Sequence, residues 1–412
     1  MAEIVSLADR RNFAHWDRNA LQHSPGGIRF AFAIVSLFPG GGLQRDCVSI
    51  ARLVRKLGHE VTIFTCRKSP DRFGEDVPLQ VLNINAHTNH ELQRRFSDRF
   101  SDAASRHFDL LVGFDKLSGL DVLYCADRSM LARIVKYPLL SVLPRYRRFV
   151  ELERDCFAPR GTTRVFLLSE SQLHEYQSGW ATEPARLLLL PPTMVSERRQ
   201  PQHRANGTRA AWRERLGLAD GDWVWIAVGV QPHTKGLDRS VRALRRFANA
   251  RLLVVGLKRG DSKSPEIVKL ARMLGVSHQV RWLGHHEHIP ELMAAADLLL
   301  HPARYDTTGT VILEAIVNGL PVITTSVCGY ATHVTAAEAG LVIEEPFSSP
   351  SFVAALEAAR SPERSLCWSR SGAEYGEKGN LYAGRAKAAE AIVAMAAQKM
   401  RQPSPARGYT RL

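Results

Sequence analysis

The chain has 412 residues, 45% of them hydrophobic and 23% charged, and its formal net charge is +14. This length predicts two or three globular domains, at roughly 150 residues each. No apolar run approaches the ~20 residues of a membrane span, and charged residues interrupt the N-terminal stretch where a signal peptide has its apolar core. We therefore expect a cytoplasmic protein. Its excess of basic residues favours an anionic partner, whether nucleic acid, an acidic membrane face or a phosphorylated substrate.

The six cysteines are scattered, and none lies in a CxxC pair or at metal-ligand spacing. A reducing compartment with free thiols is the simplest interpretation. We expect neither a structural disulfide nor a structural zinc ion.

The first half begins with a polar extension, residues 1–27, which ends in a Pro-Gly-Gly cluster. From Ile28 an apolar run predicts a strand, and the glycines at 40–42 then lead into helical spacing over Leu43–Leu57. With a second strand at His59–Thr65, this is the opening of a Rossmann-like domain. The glycine turn lacks the G-x-G-x-x-G spacing, which argues against an NAD(P) dehydrogenase. Further strands are predicted at Leu79–Ile84, Leu110–Phe114, Val122–Cys125, Val165–Leu168 and Leu187–Leu190.

Residues 196–207 are polar and rich in breakers, so we interpret them as a linker between domains 28–195 and 208–380. The second half again alternates strands with helices, and two Rossmann-like domains imply a cleft between them. An Ala-rich helix at 381–400 and a basic tail at 401–412, expected to be disordered, follow. The strands are predicted at Trp223–Val230, Arg251–Leu257 and Val280–Gly284, and the helices between them at Leu237–Phe247 and Glu266–Leu274.

The stretch His301–Thr325 has the most informative pattern. After a buried strand come a polar loop, an amphipathic helix entered through Gly309, and a second strand at Val322–Thr325. The free amides and dipole of such a helix N-terminus suit a phosphate group. Two acids, Asp306 and Glu314, flank it, although an ordinary loop acid and a solvated helical glutamate fit that spacing equally well.

The region Ser129–Arg160 interleaves basic with apolar and aromatic residues. A basic amphipathic helix of this kind can lie on anionic lipid. The alternative is a surface helix whose apolar face packs on its own domain. The basic residues that would contact a membrane are Arg133, Lys136, Arg145, Arg147 and Arg148.

Several stretches together resemble a known family. They are FPGGGLQRD (Phe38–Asp46), AHTNH (Ala86–His90), VGFDKLSGLDVLYCAD (Val112–Asp127), LMAAADLLLHPA (Leu292–Ala303) and LEAIVNGLPVITTSVCGY (Leu313–Tyr330). The chain resembles the lipopolysaccharide core glucosyltransferase I group, which are retaining family 4 glycosyltransferases. The resemblance implies the GT-B fold: an α/β protein of two Rossmann-like domains facing a cleft, with the C-terminal helix packing back on the N-terminal domain.

The resemblance also implies an activity, the transfer of a hexose to a heptose of the lipopolysaccharide inner core, with glucose from UDP-glucose as the expected donor. The N-terminal domain would hold this lipid-anchored, phosphorylated acceptor, and the C-terminal domain the nucleotide sugar. The family needs no metal, so we expect no cofactor, and protein cations with helix dipoles must neutralise the diphosphate. The expected location is peripheral, on the anionic cytoplasmic face of the inner membrane.

By the same resemblance, individual residues acquire roles. Lys235 matches the family's phosphate-binding lysine, Glu314 would bind the ribose hydroxyls, and Asp306 would hold hydroxyls of the donor sugar. Asp127 would face the transferred sugar without forming a covalent intermediate. Backbone that would approach the diphosphate is expected at Gly41, Gly42, Gly309, Thr310 and Val311.

Asp46 and Asp121 are weaker candidates on the acceptor side. Asp46 can instead pair with the neighbouring Arg45, and Asp121 can cap a helix or turn.

Three positions depart from the family pattern, and one of them is Thr193, which stands in place of the glycine of a Pro-Pro-Gly stretch. Thr234 stands where the family usually has arginine, which removes a phosphate cation, and Asp306 stands in place of glutamate. His233, Arg239 and Lys258 are the candidates to replace that cation. These departures leave two alternatives open: another donor (UDP-N-acetylglucosamine, UDP-galactose or a GDP-sugar), or a catalytically weakened, membrane-associated homologue. A nucleic-acid-binding protein is disfavoured because no recognition motif accompanies the charge.

Overall fold

The computed structural model describes residues 27–401, and these form two compact units. Unit 1 contains the described residues through Pro191 together with those from Ala383 onward, and unit 2 is Pro192–Tyr382. Nearly all of the predicted N-terminal extension and the predicted tail from residue 402 lie outside the described residues. No helix between residues 27 and 401 is both long enough and apolar enough to cross a membrane.

Unit 1 contains nine strands and six helices within its described part. The strands are β1 (Arg29–Ala33), β2 (Ser36–Leu37), β3 (Glu60–Thr65), β4 (Arg67–Lys68), β5 (Leu79–Val81), β6 (Leu110–Gly113), β7 (Val122–Cys125), β8 (Arg164–Leu167) and β9 (Leu187–Leu189). The helices are α1 (Gly42–Lys56), α2 (Asn89–Ala104), α3 (Met130–Lys136), α4 (Pro144–Phe157), α5 (Glu170–Trp180) and, from the end of the chain, α14 (Gly384–Arg401). Seven strands form a parallel sheet in the order β5-β3-β1-β6-β7-β8-β9, and β2 pairs with β4 separately.

The central strand β1 shows why this sheet needs cover on both faces. Successive side chains of a strand point to opposite faces. Phe30 and Phe32 accordingly belong to one hydrophobic cluster, and Ala31 and Ala33 to another. A parallel sheet buried on both sides reads as a continuous apolar run, which is the pattern seen here.

The first strand is shorter than the apolar run predicted. It leaves the sheet after Ala33, and Ser36–Leu37 form β2 instead. The reason is a set of hydrogen bonds that turn the chain: the amide of Val35 donates to Asp115 Oδ2 (2.7 Å), and its carbonyl accepts from the amide of Arg67 (3.1 Å). The carboxyl end of β1 is thereby joined to the loop that follows β6.

Unit 2 has a second parallel sheet, with strand order β12-β11-β10-β13-β14-β15. Its strands are β10 (Trp223–Val228), β11 (Ala250–Val255), β12 (Val280–Gly284), β13 (Leu298–His301), β14 (Val322–Thr325) and β15 (Gly340–Ile343). Its helices are α6 (Thr208–Arg215), α7 (Leu237–Ala243), α8 (Pro265–Met273), α9 (Ile289–Ala295), α10 (Thr310–Val317), α11 (Ala331–Ala336), α12 (Ser349–Ala359) and α13 (Pro362–Lys378). The helix predicted at Leu237–Phe247 stops at Ala243 and continues as a 3-10 turn, Leu244–Arg246.

Residues 196–207, predicted as a linker, lie within unit 2 and form two 3-10 turns. Their polar composition is explained by hydrogen bonds to the body of the unit. The Asn318 side chain accepts from the Gln200 amide (2.6 Å) and donates to the Arg198 carbonyl (2.8 Å). Arg204 donates to the carbonyls of Met293 and Ala296 at the end of α9. Breaker-rich sequence here indicates irregular structure, not a free tether.

The C-terminal helix α14 completes unit 1. Four of its alanines and Ile392 lie in the same hydrophobic cluster as the buried face of α1. An ion pair stands near each end: Arg385 Nε to Asp46 Oδ1 (2.7 Å) and Lys399 Nζ to Asp121 Oδ1 (2.7 Å). Asp46 is buried and also accepts a hydrogen bond from Tyr124 Oη (2.8 Å). Burial raises the pKa of Asp46, and Arg385 opposes that rise by favouring the charged carboxylate.

We therefore expect Arg385→Met to lower the free energy of unfolding at pH 7 by roughly 2 kcal/mol, because it leaves a buried carboxylate without its cation. Without Arg385 the pKa of Asp46 rises further, so the loss shrinks as the pH falls and Asp46 takes up a proton. Lys399→Met removes a more exposed pair of the same helix and should cost less than about 1 kcal/mol. Urea denaturation of the full chain at pH 7 and pH 5 measures both; equal losses for the two variants would contradict the assignment.

Candidate active site

The residues singled out in unit 2 meet at the carboxyl ends of its strands. The chain leaves β10 for one side of the sheet and returns as β13 on the other, so the sheet reverses its strand order between these two neighbours. Ligands of open parallel sheets bind at such a point. Lys235 lies in the loop after β10, and Asp306 in the loop after β13.

One carboxylate oxygen links these two loops. Asp306 Oδ2 accepts a hydrogen bond from Lys235 Nζ at 2.6 Å and lies 2.7 Å from His301 Nε2. His301 is 1% exposed and Asp306 8%, so the pairing lies almost wholly out of water. Burial raises the pKa of Asp306, but His301 and Lys235 outweigh it and bring that pKa down to about 2. Burial lowers the pKa of His301, but Asp306 and Cys328 raise it to about 9. The cluster at neutral pH is therefore a carboxylate between two cations.

His301, Asp306 and Cys328 each offer an atom that ligates metals, and these atoms lie within 4.8 Å of one another. The chemistry of the set does not favour a metal ion. The Asp306 oxygen already receives an ammonium group, which would repel a second cation, and Cys328 Sγ accepts from Thr324 Oγ1 (3.3 Å). The geometry fits a hydrogen-bonded network better than a coordination site.

Gly309 opens the helix α10 in the left-handed region, at φ 81° and ψ 51°. A Cβ atom there would lie 2.9 Å from Ile312 Cδ1 and in ordinary contact with Asp306 Oδ2 at 3.4 Å, so it is the backbone conformation that favours glycine here. The first amides of the helix, from Thr310 and Val311, have no intrahelical acceptor and carry the positive end of the dipole. Glu314 follows one turn later and is half-buried.

A second glycine joins the loops that carry Lys235 and Asp306. Gly236 has φ 70°, and a Cβ there would be 1.8 Å from the carbonyl oxygen of Pro302. Backbone therefore contacts backbone at this point. The amide of Arg304 also donates to the carbonyl of Thr234 (2.8 Å), which holds the Thr234 backbone beside the same loop.

Of the candidates to replace the missing cation at 234, Arg239 is already engaged. Its guanidinium donates to the carbonyls of Pro302 and Ala303 and lies 3.7 Å over the Phe347 ring.

His301 was not among the predicted site residues. Its place at the last position of β13, on the edge where Lys235 and Asp306 lie, is the signal that would have identified it.

In unit 1 the predicted residues also lie at the carboxyl edge of the sheet. Gly41 is the residue before α1 and Gly42 its first residue, and a Cβ on Gly42 would have no heavy atom within 4 Å. Asp127 follows β7 and is exposed, while its backbone carbonyl accepts from Gln172 Nε2 (2.8 Å) and Tyr176 Oη (3.0 Å). Buried side chains thus fix the backbone of an exposed carboxylate.

Asp115 is a further carboxylate of this edge that the prediction did not include. It follows β6, the neighbour of β1 at the point where the sheet reverses its strand order. Burial raises the pKa of Asp115 to about 6, the Val35 amide opposes this, and the charge of Asp127 adds to it.

Asp46 and Asp121, the two weaker acceptor-side candidates, have their carboxylates engaged by Arg385 and Lys399 of α14. Asp121 Oδ2 also accepts from the amide of Leu111 (2.9 Å). Both positions hold the C-terminal helix in unit 1, which accounts for the two acids without a substrate.

The region Ser129–Arg160 is two helices, α3 and α4, separated by a 3-10 turn at Pro138–Val142. Pro138 and Pro144 interrupt what the sequence pattern presented as one helix, because proline lacks the amide that a helix interior requires. We define the apolar–basic face as the exposed residues Val135, Tyr137, Leu139, Val142 and Leu143 with the exposed cations Arg133, Lys136, Arg145, Arg147 and Arg148. Leu139 is 84% exposed and Val135 71%.

A buried acid holds this face to unit 1. Glu153 Oε2 accepts from Lys116 Nζ and from the Met130 amide, both at 2.7 Å, and Oε1 accepts from the Leu131 amide (3.2 Å). The carboxylate thereby caps the N-terminus of α3. The exposed apolar side chains are presented by an anchored element, not by a loose loop.

Comparison with known proteins agrees with this geometry. Residues 208–366 match the family described as Glycosyl transferases group 1. The chain is 35% identical over 372 residues to the lipopolysaccharide glucosyltransferase WaaG of Escherichia coli (strain K12), covering 88% of this chain and 98% of WaaG.

Solved structures give the same result. A crystal structure of WaaG superposes with a TM-score of 0.81 and 34% identity, covering 88% of this chain and 99% of that one. HepE of Anabaena, solved with UDP and glucose, shares the fold at 16% identity, with a TM-score of 0.69 and coverage of 89% and 99%. The predicted family and the two-sheet α/β fold are confirmed. The chain belongs to the WaaG-type lipopolysaccharide core glucosyltransferases, which are hexosyltransferases of GT-B fold.

Proposed function

We propose that this glycosyltransferase moves glucose from UDP-glucose onto a heptose of the lipopolysaccharide inner core, with retention of anomeric configuration. The observation that carries the proposal is the cluster at the carboxyl edge of unit 2. There a lysine, a helix N-terminus and a helical glutamate lie together, a set suited to a diphosphate with an attached ribose. The chain's relationship to WaaG and its fold relationship to HepE, solved with UDP and glucose, support the same donor class.

The donor would be held as follows. Lys235 places its ammonium on the diphosphate, and the amides of Gly309, Thr310 and Val311 donate to phosphate oxygens. Glu314 accepts from the vicinal ribose hydroxyls. Protein cations and the helix dipole stabilise the departing UDP, so the reaction needs no metal ion.

Asp306 would contact the transferred sugar through Oδ1. Its other oxygen is occupied by Lys235 and His301. A carboxylate held in this way has one oxygen to offer a sugar hydroxyl, and its position is set by the cations behind it. This arrangement supports an altered donor preference over a loss of catalytic activity.

On the acceptor side, Asp127 would orient the heptose hydroxyl or stabilise positive charge on the sugar as the glycosidic bond forms. The β-phosphate oxygen of the donor would take the acceptor proton, and no covalent enzyme intermediate forms. Gly41 and Gly42 leave room for substrate against the backbone at the edge of unit 1.

We further propose that the apolar–basic face binds the anionic cytoplasmic leaflet, where the lipid-anchored acceptor lies. Exposed leucine and valine side chains beside five cations have the composition of an interfacial element. Each cation near an anionic membrane surface contributes about 1 kcal/mol to the free energy of binding. The exposed apolar side chains add to it by inserting into the membrane interface. The protein would then be peripheral on the inner membrane.

The donor assignment is tested by UDP release from a panel of UDP- and GDP-sugars with a heptosylated acceptor. We expect UDP-glucose to give the highest kcat/KM and Lys235→Met to lower it by about 100-fold or more, because a group that stabilises the leaving diphosphate is lost. Lys263→Met removes an exposed lysine of the same unit and should leave the rate unchanged. The proposal is refuted if the wild-type protein turns over none of these donors. If it prefers another sugar nucleotide, the assignment of glucose as the transferred sugar is wrong.

Gly42→Ala tests the edge of unit 1. An added Cβ meets no protein atom within 4 Å, so the thermal midpoint should be unchanged or slightly raised. If substrate approaches this backbone, the added methyl group should displace the substrate by part of an ångström. We expect kcat/KM to fall by about 10-fold, because a displacement of about 1 Å can cost about 100-fold in rate. Gly221→Ala, at another glycine with no neighbour within 4 Å, is the matched control. Wild-type activity in Gly42→Ala would remove Gly42 from the site.

Vesicle co-sedimentation tests the apolar–basic face. The double variant Val135→Ser, Leu139→Ser should bind anionic vesicles at least about 10-fold more weakly, because each buried aliphatic side chain contributes about 1.5 kcal/mol or more. Met273→Ser alters a side chain of unit 2 that is 73% exposed and should bind like wild type. High salt should weaken the wild-type interaction. Equal binding to neutral and anionic vesicles would disprove the electrostatic part.

A further inference from the structure

His301 has no role in the proposed donor contacts, yet it is the most deeply buried titratable side chain at the donor edge. It lies at the end of β13, 1% exposed, with Nε2 2.7 Å from the same Asp306 oxygen that accepts from Lys235 Nζ at 2.6 Å. Its backbone carbonyl accepts from Thr324 Oγ1 (3.0 Å) of the neighbouring strand β14. Both its ring and its backbone are therefore held in place.

The charges of this cluster bear on how it can receive a diphosphate. Asp306 beside Lys235 alone would be a neutral pair, and the carboxylate would repel the phosphates that the lysine attracts. A protonated His301 cancels the charge of Asp306 from the buried side. The cluster then has a net charge of +1, and the Lys235 charge remains available to the ligand.

We infer that His301 is a positioning residue of the donor site: as an imidazolium it holds Asp306 in place and leaves Lys235 able to bind the diphosphate. The inference rests on the proposed use of a nucleoside diphosphate sugar.

The groups that face His301 come from three elements. Asp306 reaches it from the loop after β13, Cys328 from the turn after β14, and Lys235 through Asp306 from the loop before α7. With a pKa of about 9, His301 is charged at pH 7 and loses its charge as the pH rises through about 9. Cys328, which lies against it, is also titratable: burial raises the pKa of its thiol, while His301 lowers that pKa more. Donor affinity should therefore fall at alkaline pH, and the two groups must be separated by variants.

The first test is His301→Gln, which can still donate to Asp306 but carries no charge. At pH 7.5 we expect kcat/KM for the UDP-sugar to fall by about 10- to 100-fold, through KM more than kcat, and the Kd of UDP to rise similarly. Ile323→Val removes one methyl from the adjacent strand β14 and should change neither, which controls for packing. Wild-type KM and UDP affinity in a folded His301→Gln protein would overturn the inference.

The second test follows the pH dependence of donor binding. The Kd of UDP for the wild-type protein and for Cys328→Ala is measured by calorimetry between pH 7 and pH 10. In the wild type, affinity should fall as the pH rises through about 9, and in Cys328→Ala the fall should begin at lower pH because Cys328 helps to raise the pKa of His301. In His301→Gln the fall should be clearly smaller, because only the uracil of the ligand and the remaining groups of the site still lose a proton there, and an equal fall would overturn the inference. A flat profile in the wild-type protein, or a fall that Cys328→Ala abolishes, would overturn the inference. If the wild type transfers sugar while His301→Gln matches it, this inference alone fails; if the wild type binds no nucleoside diphosphate, the proposed function fails with it.

Discussion

The donor edge of unit 2 depends on one carboxylate oxygen that receives two positively charged groups. Asp306 Oδ2 joins the loop after β10 to the end of β13, and the Asp306 backbone forms a bridge with Cys328 after β14. Without that oxygen, His301 would lose the group that raises its pKa, and Lys235 would lose its buried partner. A Cβ on Gly309 would lie 3.4 Å from the same oxygen, in van der Waals contact, so the entry into α10 packs directly beside it. A single oxygen atom therefore couples the positions of the two loops, the N-terminus of α10 and the net charge of the Lys235, Asp306 and His301 cluster.

Much of this architecture could be predicted from local sequence. The apolar runs located every strand of the two large sheets except β15, because a strand buried on both faces has no polar side to obscure it. The edge strand β15 is only partly buried, and the sequence pattern did not reveal it. Gly309 and Lys235 were identified from the turn and from the motif around them. The segment from Leu298 to Thr325 folds as its pattern indicated, since each of its elements contacts its neighbours along the chain.

The remaining features depend on contacts between distant parts of the chain. The Asp46 pair with Arg385 spans 339 residues, and no spacing rule connects the two positions. The packing of residues 196–207 depends on Asn318 and on the carbonyls at the end of α9, so composition alone described them as a tether. The pairing of His301 with Asp306 was missed for a different reason. Histidine at the end of a buried strand is usually core, and only the position of Lys235 shows what it faces.

The placement of α14 has a consequence for how the protein is made. Unit 1 receives its last helix from residues 384–401, after the whole of unit 2 has been translated. While the ribosome synthesises unit 2, the hydrophobic face of α1 that α14 covers stays open, and Asp46 lacks its arginine partner. The first unit to be synthesised is therefore the last to be finished. A fragment ending at Pro191 would lack part of its own hydrophobic core. Truncating the chain between the two units therefore does not yield a complete unit 1.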